Sequence, residues 1–439
     1  MEVVTPYFDF KKHSLKTIRS NKPVLVSFYI LTFLVIIALL APVIANEKPL
    51  YVSYKGNSLF PAFSFKNNIL IQVNGTQEQL QYDLVEWKKL KCDKIIFAPV
   101  AYSPSKTDYA NADYISPGSE QFFTNEKDER TLMPVRFKHW LGTDKLGQDV
   151  LSGLIYGTRI SLSVGIFSMV IASLIGILLG AIAGYFGDNQ LKISRGIFWM
   201  LIAGILIGYF YAFQTRSFIL TDSFKNSSFT FIFQFLLSIL VFIFVLTLFY
   251  FSGKLLNVFS FFRKEVFIKA DAIVSGLIEI LISLPIFILI ISIAAIARPS
   301  LINLILIIGV NLWTDVARLT RAEFLKLRNL EFIEAARALG YSRSRIIFRH
   351  ALPNGVAPAL IAIAFGIASA ILLESSLSFL GIGVPQDVVT WGSLLSKGRE
   401  NFSAWWLVIF PGCAIFVTVT VFNIFGEGLR DALDPKLRI

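Results

Sequence analysis

Long apolar runs separated by short polar segments make up most of this chain. Each run approaches the roughly 20 residues that a helix needs to cross the ~30 Å hydrocarbon core of a bilayer. The runs are Pro23–Ala45, Ile160–Phe186, Ile197–Phe213, Phe229–Ser252, Ala272–Ala297, Ser300–Val316, Val356–Leu380 and Trp405–Phe425. The pattern therefore predicts an all-α polytopic membrane protein with about eight spans.

Positive charge sets the predicted orientation of these spans, because loops rich in lysine and arginine stay on the cytoplasmic side. A basic tail, residues 1–22, precedes the first span, residues 23–46, so we expect the N-terminus in the cytoplasm. Val43-Ile44-Ala45 resembles a signal-peptidase site. The run before it is too long and too far from the start for a signal peptide, so a retained anchor is favoured.

A polar segment, residues 47–139, follows the first span and is expected outside the cytoplasm. Asn68–Val73 and Lys94–Val100 have the composition of strands, and Gln77–Lys91 between them has an amphipathic helical pattern. The segment is therefore predicted to be a small external α+β insert. It contains no Ser/His/Asp set and no His or Cys at metal-ligand spacing, so it predicts neither a catalytic nor a metal site.

Composition excludes an ordinary soluble domain. Of the 439 residues, 55% are hydrophobic and 16% are charged, and the mean hydropathy is +0.64. A soluble domain has about 45–50% apolar and about 25% charged residues. The net charge of +11 also suits nucleic-acid binding, but basic cytoplasmic loops explain that charge without a nucleic-acid partner.

Two features of the middle of the chain concern packing. Gly176, Gly180 and Gly184 recur every four residues, a spacing that lets helices approach closely in lipid. We expect them to serve packing within the chain rather than dimerisation. The two runs within residues 188–264 have basic residues at their outer ends, which predicts a transmembrane hairpin that starts and ends in the cytoplasm.

A basic segment, residues 318–353, lies between two apolar runs and has its own pattern. Its apolar positions Phe332, Ala335, Ala336 and Leu339 recur at helical spacing. Gly340 follows, where the end of a helix favours a residue free to take positive φ. Ser342 can cap a second short helix, which Leu352-Pro353 should stop because proline lacks the N–H. The segment is predicted to be a helix–glycine–helix elbow that docks a partner.

The spacing within the elbow resembles the EAA loop of ABC importer permeases. Glu334-Ala335-Ala336 is followed four residues later by Gly340 and then by Leu352-Pro353. Further blocks resemble the C-type subunit of the oligopeptide, dipeptide and nickel importers: Gly142-Thr143-Asp144 with Gly147 and Asp149, Ser378–Pro385, Trp391-Gly392, Pro411-Gly412 and Gly426–Arg438. Gln148 stands where that pattern usually has arginine, which puts the role of that one position in doubt.

The resemblance implies a six-span permease core with two additions. A signature segment with its span covers residues 140–187, and the core continues over residues 265–426 with the elbow inside it. Residues 188–264 are then an inserted two-helix hairpin, and residues 47–139 are the external insert. The protein is expected in the inner membrane of a bacterium, with its tail, residues 427–439, in the cytoplasm.

The resemblance also implies transport without enzymatic activity. Gln148-Asp149 follows Gly147 where a nucleotide-binding loop needs Lys-Ser/Thr, so this chain is not expected to hold ATP or Mg²⁺ itself. The implied partners are two ATP-binding cassette subunits that bind ATP and Mg²⁺, a second homologous permease, an extracytoplasmic substrate-binding protein and the lipid bilayer. Glu334 either contacts the ATPase or shapes its own helix. The residues implied at the ATPase contact are Glu334, Ala335, Ala336, Arg337, Gly340, Ser342, Arg345, Leu352 and Pro353.

Polar residues inside the predicted spans are candidates for the translocation path. A carboxylate in lipid is costly, so such residues face other helices or water. For Glu279, a buried hydrogen bond to a neighbouring helix and a position on the path remain alternatives. The candidates are Glu279, Asn311, Asp315 and Glu374.

Other classes of function explain the sequence less well. An ion-driven secondary transporter would show paired halves with broken helices, and the chain has no internal repeat. A membrane enzyme would need clustered catalytic residues, but His13, His139 and His350 are far apart in sequence. Within the importer class, peptides are the commonest substrate that the resemblance implies, and nickel or another small solute is the alternative.

Overall fold

The computed structural model describes residues 20–64, 68–73, 76–82, 85–90, 92–124, 130–226 and 228–433. These residues form two compact units. We name them the insert unit, residues 20–165 and 371–425, and the elbow unit, residues 166–370 and 426–433. Each unit is described by itself below.

Helices dominate both units. In chain order, the described α-helices are α1 (Lys22–Ile44), α2 (Val150–Phe186), α3 (Arg195–Tyr209), α4 (Ser217–Asn226), α5 (Ser228–Leu256), α6 (Ala270–Ser283), α7 (Ile286–Ile296), α8 (Leu301–Asn311), α9 (Trp313–Leu327), α10 (Glu331–Ala338), α11 (Arg343–Arg345), α12 (Leu352–Gly355), α13 (Ala357–Phe379), α14 (Trp391–Glu400) and α15 (Trp406–Leu433). Within the described residues, seven helical stretches are long and apolar enough to cross a membrane, and a strongly bent pair raises the number to eight. The predicted all-α membrane protein with about eight spans is therefore confirmed.

The bent pair lies where the sequence predicted one span, Ala272–Ala297. Here α6 and α7 form an angle of 81°. The break falls at Leu284, whose backbone is extended (φ −91°, ψ 133°) immediately before Pro285. A proline ring disfavours the helical conformation of the residue before it, which accounts for the break. The predicted apolar span therefore corresponds to a bent pair of helices rather than to one straight helix.

The helix that leads into the elbow is longer than the apolar run that predicted it. Together α8 and α9 cover Leu301–Leu327, whereas the run covered Ser300–Val316. Arg318, Arg321 and Lys326, which the sequence assigned to the basic loop, therefore lie on α9. The elbow proper begins only at α10.

The glycine stripe of α2 packs against α9 inside the elbow unit. A Cβ atom on Gly176, Gly180 or Gly184 would lie within 2.7 Å of a backbone carbonyl oxygen of α9. The three oxygens belong to Trp313, Ala317 and Arg321, respectively. The predicted use of these glycines for packing within the chain is confirmed, because only a residue without a side chain allows this approach.

The insert, residues 47–139, contains most of the described strands. Its described strands are β1 (Tyr51–Tyr54), β2 (Asn57–Leu59), β3 (Asn68–Val73), β4 (Thr76–Gln81), β5 (Lys94–Ile96), β6 (Phe122–Thr124) and β7 (Arg130–Leu132). They form an antiparallel sheet in the order β2-β1-β5 and two separate pairs, β3-β4 and β6-β7. Short 3₁₀ turns, Pro61–Phe63, Tyr109–Asn111 and Val135–Phe137, are the helical elements of its described part.

The predicted helix Gln77–Lys91 was wrong. Thr76–Gln81 form strand β4, which pairs with the predicted strand Asn68–Val73, and residues 85–90 form a turn. The register places Val73 opposite Thr76, so two residues join the strands. Their sequence, Asn-Gly, is a strong hairpin signal, and it outweighs the helical spacing of the leucines that follow.

The two ends of the inserted hairpin, residues 188–264, lie next to each other in the elbow unit. Its ends are joined by an antiparallel pair of strands, β8 (Leu191–Ser194) and β9 (Glu265–Ile268). The amide of Asp271 also donates to the carbonyl of Gly187 over 3.4 Å. Inside the hairpin, glycines on α3 allow α5 to pack closely. This closure at the base supports the interpretation of the segment as an insertion.

Deleting residues 189–268 is expected to leave a folded protein. Joining Asp188 to Lys269 would make the bond between Gly187 and Asp271 an ordinary i→i+4 turn. The measurement is the monodisperse fraction of the purified deletion variant in detergent, beside the full chain prepared in parallel. An aggregated deletion variant would show that the hairpin is part of the folding core.

Candidate functional site

The first limb of the elbow ends as the sequence predicts. Gly340 follows α10 with φ +77°, a conformation that favours glycine. Its amide donates to the carbonyl of Arg337 over 3.0 Å, and the amide of Tyr341 donates to the carbonyl of Ala336 over 3.2 Å. These two bonds satisfy carbonyl groups at the end of the helix and fix the direction in which the chain leaves it.

The second limb differs from the prediction in its last part. Ser342 caps α11 as predicted, since its hydroxyl accepts a bond of 3.4 Å from the amide of Arg345. The chain then continues through a π-helical turn, Ile346–Ala351, into α12. The predicted stop at Leu352-Pro353 was therefore wrong. Pro353 lies in the first turn of α12, where the N–H that it lacks is not needed.

One face of α10 is buried in a small apolar core of the elbow unit. Ile333 and Ala336 pack there with Ile346 and Ala351 of the second limb. Phe324 of α9, which is fully buried, belongs to the same core, as do Ala181 and Tyr185 of α2. The elbow is therefore attached to two long helices rather than hanging from a flexible loop.

A second face of α10, next to the buried one, is apolar and exposed. Phe332 is 40% exposed and Leu339 is 72% exposed, and Ala335 lies between them on the same side of the helix. We call Phe332, Ala335 and Leu339 the apolar face. Of the four positions whose spacing predicted the helix, only Ala336 is buried.

Three charged residues of the elbow are exposed to solvent. The guanidinium of Arg337 lies 5.5 Å from the ring centre of Tyr185, and that of Arg345 lies 4.2 Å from the ring centre of Tyr341. Glu334 is exposed in the first turn of α10 and has no hydrogen bond or ion pair among the described residues. A carboxylate in that turn favours the helix and is also free to meet a partner, so both predicted roles of Glu334 remain.

An ion pair holds α9 to α6 in the elbow unit. Arg321 donates to both carboxylate oxygens of Asp271, with 2.8 Å between Nη2 and Oδ2. Because Arg321 lies one turn from Phe324, the pair fixes the part of α9 that supports the elbow. Together with the glycine stripe, it makes α9 a stiff connection between the elbow and the spans.

The path candidates of the elbow unit do not form one site. Glu279 is exposed on α6 and makes no hydrogen bond to a neighbouring helix among the described residues. Asn311 is buried, and its amide donates to the carbonyl of Ile307 over 2.6 Å. Asp315 is exposed and pairs with Arg318 at 3.7 Å. Asn311 is thus occupied within its own helix, whereas Glu279 faces outward.

The fourth candidate, Glu374, belongs to the insert unit. It is fully buried on α13, where the hydroxyls of Ser161 and Ser378 each donate to its carboxylate over 2.7 Å. Ser375 donates a weaker bond of 3.3 Å. These bonds join α13 to α2 and satisfy the buried carboxylate, as burial of a charged group requires.

The signature segment is hydrogen-bonded to α14 and α15 inside the insert unit. Lys397 of α14 donates to Asp144 over 2.7 Å and to the side-chain oxygen of Gln148 over 2.6 Å. Trp406 donates to the carbonyl of Thr143 over 3.0 Å. An arginine at position 148 would offer no hydrogen-bond acceptor to the Lys397 ammonium, and the two positive charges would repel each other. The unusual glutamine is therefore explained by Lys397.

Sequence reasoning missed a buried charged cluster that includes Asp149 of the signature segment. His139 is fully buried, with Nδ1 2.9 Å from Asp149 and Nε2 3.2 Å from Asp108. Burial opposes the charged imidazole, but hydrogen bonds to both carboxylates outweigh it and raise the pKa of His139. Asp149 is 10 positions and Asp108 is 31 positions from His139, and no spacing rule connects the three residues. The described residues form no group suited to a metal ion.

Two families match the sequence. Residues 264–439 match the binding-protein-dependent transport system inner membrane component. Residues 10–61 match the N-terminal TM domain of oligopeptide transport permease C. The second match includes the first span.

Curated relatives agree with these matches. The dipeptide transport system permease protein DppC of Alkalihalophilus pseudofirmus is 32% identical over 69% of this chain and 73% of its own length. The glutathione transport system permease protein GsiD of Pectobacterium atrosepticum is 30% identical over 68% of this chain and 73% of its own length. The peptidoglycan transport system permease protein YejE of Agrobacterium fabrum is 26% identical over 97% of this chain and 93% of its own length, so that alignment includes most of the insert and the hairpin. This chain belongs to the binding-protein-dependent transport permeases of the oligopeptide and dipeptide ABC importers, and it is a multi-pass protein of the inner membrane.

Proposed function

We propose that this chain is one of two homologous permease subunits of an ATP-driven peptide importer, and that its elbow couples the membrane spans to a separate ATPase. Two ATP-binding cassette subunits bind ATP and Mg²⁺ and carry out the hydrolysis. An extracytoplasmic binding protein delivers the substrate. Both termini of this chain lie in the cytoplasm, on the side of the elbow.

The observation that carries this proposal is the apolar face of α10. An exposed apolar patch is typical of a protein–protein contact. Leu339 is 72% exposed at its edge, while Ile333 and Ala336 of the same helix pack with Phe324. A partner that binds to the apolar face and shifts α10 therefore also shifts α9. Because the glycine stripe packs α2 closely against α9, α2 moves with it.

The path through the membrane is proposed to run past Glu279. An outward-facing carboxylate on a span is unfavourable in lipid, so the surface around it suits water or a second permease. Asp315 is exposed on α9 and fits the same role. Asn311 and Glu374 have hydrogen-bond partners within the chain, so their first role is to hold helices together.

The proposed substrate is a short peptide. The relatives described above are named for transport of dipeptides, glutathione and peptidoglycan, all of which contain peptide bonds. Nickel or another small solute is the alternative that the resemblance allows. Stimulation of ATP hydrolysis by added dipeptides, compared with stimulation by Ni²⁺, distinguishes these substrates in the assembled importer.

Leu339→Asp tests the coupling proposal. The side chain is exposed, so the chain is expected to insert and purify normally. A charge on the apolar face should remove the contact with the ATPase, and substrate-stimulated ATP hydrolysis in the assembled importer should fall at least tenfold. ATP turnover in proteoliposomes with the binding protein and a saturating substrate is the measurement.

Val258→Asp is the matched control. Val258 is 84% exposed beyond the end of α5, in the inserted hairpin, so the same change there alters an apolar surface without touching the elbow. We expect normal coupling in this variant. Normal coupling in Leu339→Asp as well would contradict the proposal.

A further inference from the structure

The external insert contains a cavity that no feature discussed above explains. Its volume is about 460 Å³, within the range of about 300–1,000 Å³ that is usual for small-molecule sites. Aromatic side chains supply much of its wall. They are Tyr82, Trp87, Tyr102, Tyr109, Phe122 and Phe123.

Most of the charged side chains that line this cavity are already paired. Glu86 pairs with Lys89 at 2.7 Å, and Glu47 pairs with Lys106 at 3.5 Å. Asp108 accepts hydrogen bonds from the amide of Ala110, from Asn111 and from His139. The carboxylates of the cavity therefore have little capacity left for a cationic ligand.

Lys88 is the exception. Its ammonium lies 3.2 Å from the ring centre of Tyr102 and has no hydrogen bond or ion pair among the described residues. A ring face stabilises an ammonium less completely than a carboxylate does. The carboxylates of Glu47, Asp108 and Asp149 attract this ammonium, but within the described residues none of them makes a hydrogen bond or an ion pair with it. The cavity thus presents an ammonium with open donor positions beside an aromatic wall, and its ligand should carry a negative group next to an apolar body.

We infer that this cavity binds the C-terminal carboxylate of a short peptide at Lys88, with the side chains of the peptide against the aromatic wall. The preference for a carboxylate comes from the cavity itself. The choice of a peptide among carboxylates rests on the proposed function. The insert is then a peptide-binding surface of the permease itself, additional to the separate binding protein.

Calorimetric titration of the purified full chain in lipid nanodiscs tests this inference. The ligands are N-acetyl-alanyl-phenylalanine and the same compound with a C-terminal amide. We expect the carboxylate to bind at least tenfold more tightly than the amide. Lys88→Met should weaken binding of the carboxylate at least tenfold, whereas Lys88→Arg, which keeps the charge, should retain the preference.

Lys94→Met is the matched control, because Lys94 is an exposed lysine of β5 that does not line the cavity. Its affinity for the carboxylate should equal that of the unmodified chain. Removal of the largely buried charge of Lys88 is not expected to impair folding, and the unfolding temperature of each variant checks this. Absence of binding, equal affinity for acid and amide, or an unaffected Lys88→Met variant would each overturn the inference.

The affinity should also depend on pH. Burial lowers the pKa of Lys88 to about 7, and the positive charge of Lys106 contributes in the same direction. At pH 9 the free side chain is mostly neutral, so we expect binding at least tenfold weaker than at pH 6. In Lys88→Arg this difference should disappear. The ionisable groups that face Lys88 are Glu47, Tyr102, Lys106, Asp108, Asp149 and, through the two aspartates, His139.

These results distinguish a failure of the cavity inference from a failure of the proposed importer function. If the assembled importer transports dipeptides but the cavity binds no carboxylate, the inference fails and the proposed function stands. If the cavity binds the carboxylate but the importer responds only to Ni²⁺, the peptide substrate fails and a carboxylate site in the insert remains.

Discussion

Gly180→Val is expected to prevent the elbow unit from reaching its folded state. A Cβ atom at this position would lie 2.5 Å from the carbonyl oxygen of Ala317 and 2.8 Å from the Cβ of Thr320. Both neighbours belong to α9, and Thr320 is fully buried, so neither can rotate away. Overpacking costs about 1–3 kcal/mol where side chains can adjust, and here backbone faces the new atoms, so we expect about 3 kcal/mol or more.

Thermal unfolding and the monodisperse fraction in detergent measure this effect. Gly276→Val is the matched control, since it adds the same side chain to α6, where a Cβ atom would meet nothing within 4 Å. We expect the control to behave like the unmodified chain. If Gly180→Val were as stable as Gly276→Val, the close contact between α2 and α9 would not exist.

The spans were predictable because hydrophobicity alone decides them. Phe229–Ser252 was expected to be helical, and α5 covers Ser228–Leu256. The last run, Trp405–Phe425, likewise lies within α15 except for Trp405. Hydropathy does not mark the ends of helices that continue into polar sequence, which is why α9 extends well past its apolar run.

Two local features of the backbone have signals in the sequence. Leu284-Pro285 lies in the middle of a predicted span, and a residue before proline leaves the helical region readily. Asn74-Gly75 directly follows the predicted strand Asn68–Val73, and an Asn-Gly pair favours a hairpin over the predicted helix. In both places the local chemistry of the backbone outweighed a longer periodic pattern.

The elbow was predictable as a local structure but not as a surface. Gly340 and Ser342 fix its turn and cap through bonds to near neighbours, and such bonds can be inferred from spacing. Which face of α10 is buried depends on Phe324 and Tyr185, which come from other helices. The outward direction of Leu339 therefore required the structure.

Contacts between distant residues were beyond sequence reasoning for the same physical cause. The partner of Gln148 is Lys397, 249 positions away, and the bond between Ser161 and Glu374 spans 213 positions. Nothing in the local pattern of either residue indicates its partner. The same holds for His139, whose importance is visible only in its two carboxylate contacts.

His139→Leu is expected to destabilise the insert unit strongly. The change would leave Asp149, which is 2% exposed, without the cation that it faces at 2.9 Å. Removal of one partner from a buried ion pair costs about 3–5 kcal/mol, because the remaining charge is uncompensated. The measurement is the thermal unfolding midpoint of the purified chain, together with the rate of proteolysis within the insert.

A double variant, His139→Leu with Asp149→Asn, separates charge from packing. The asparagine keeps an oxygen that can accept the bond of 2.6 Å from the amide of Ser152 at the start of α2, but it carries no charge. We therefore expect the double variant to recover much of the stability that the single variant loses. No recovery would mean that the loss came from the shape of the imidazole, which stacks on Tyr102 at 4.0 Å, and not from its charge.

The pH dependence of this loss follows from the direction of the shift. The pKa of His139 is raised above its ordinary value of 6.5, so the stabilisation is complete below that pH and is lost as the pH rises through the folded-state pKa. The difference in unfolding midpoint between the unmodified chain and His139→Leu should therefore narrow from pH 6 towards alkaline pH. Lys88 titrates in both proteins, so comparing them at each pH largely cancels its contribution. A difference that stays constant from pH 6 to pH 10 would show that His139 is held neutral between its two carboxylates.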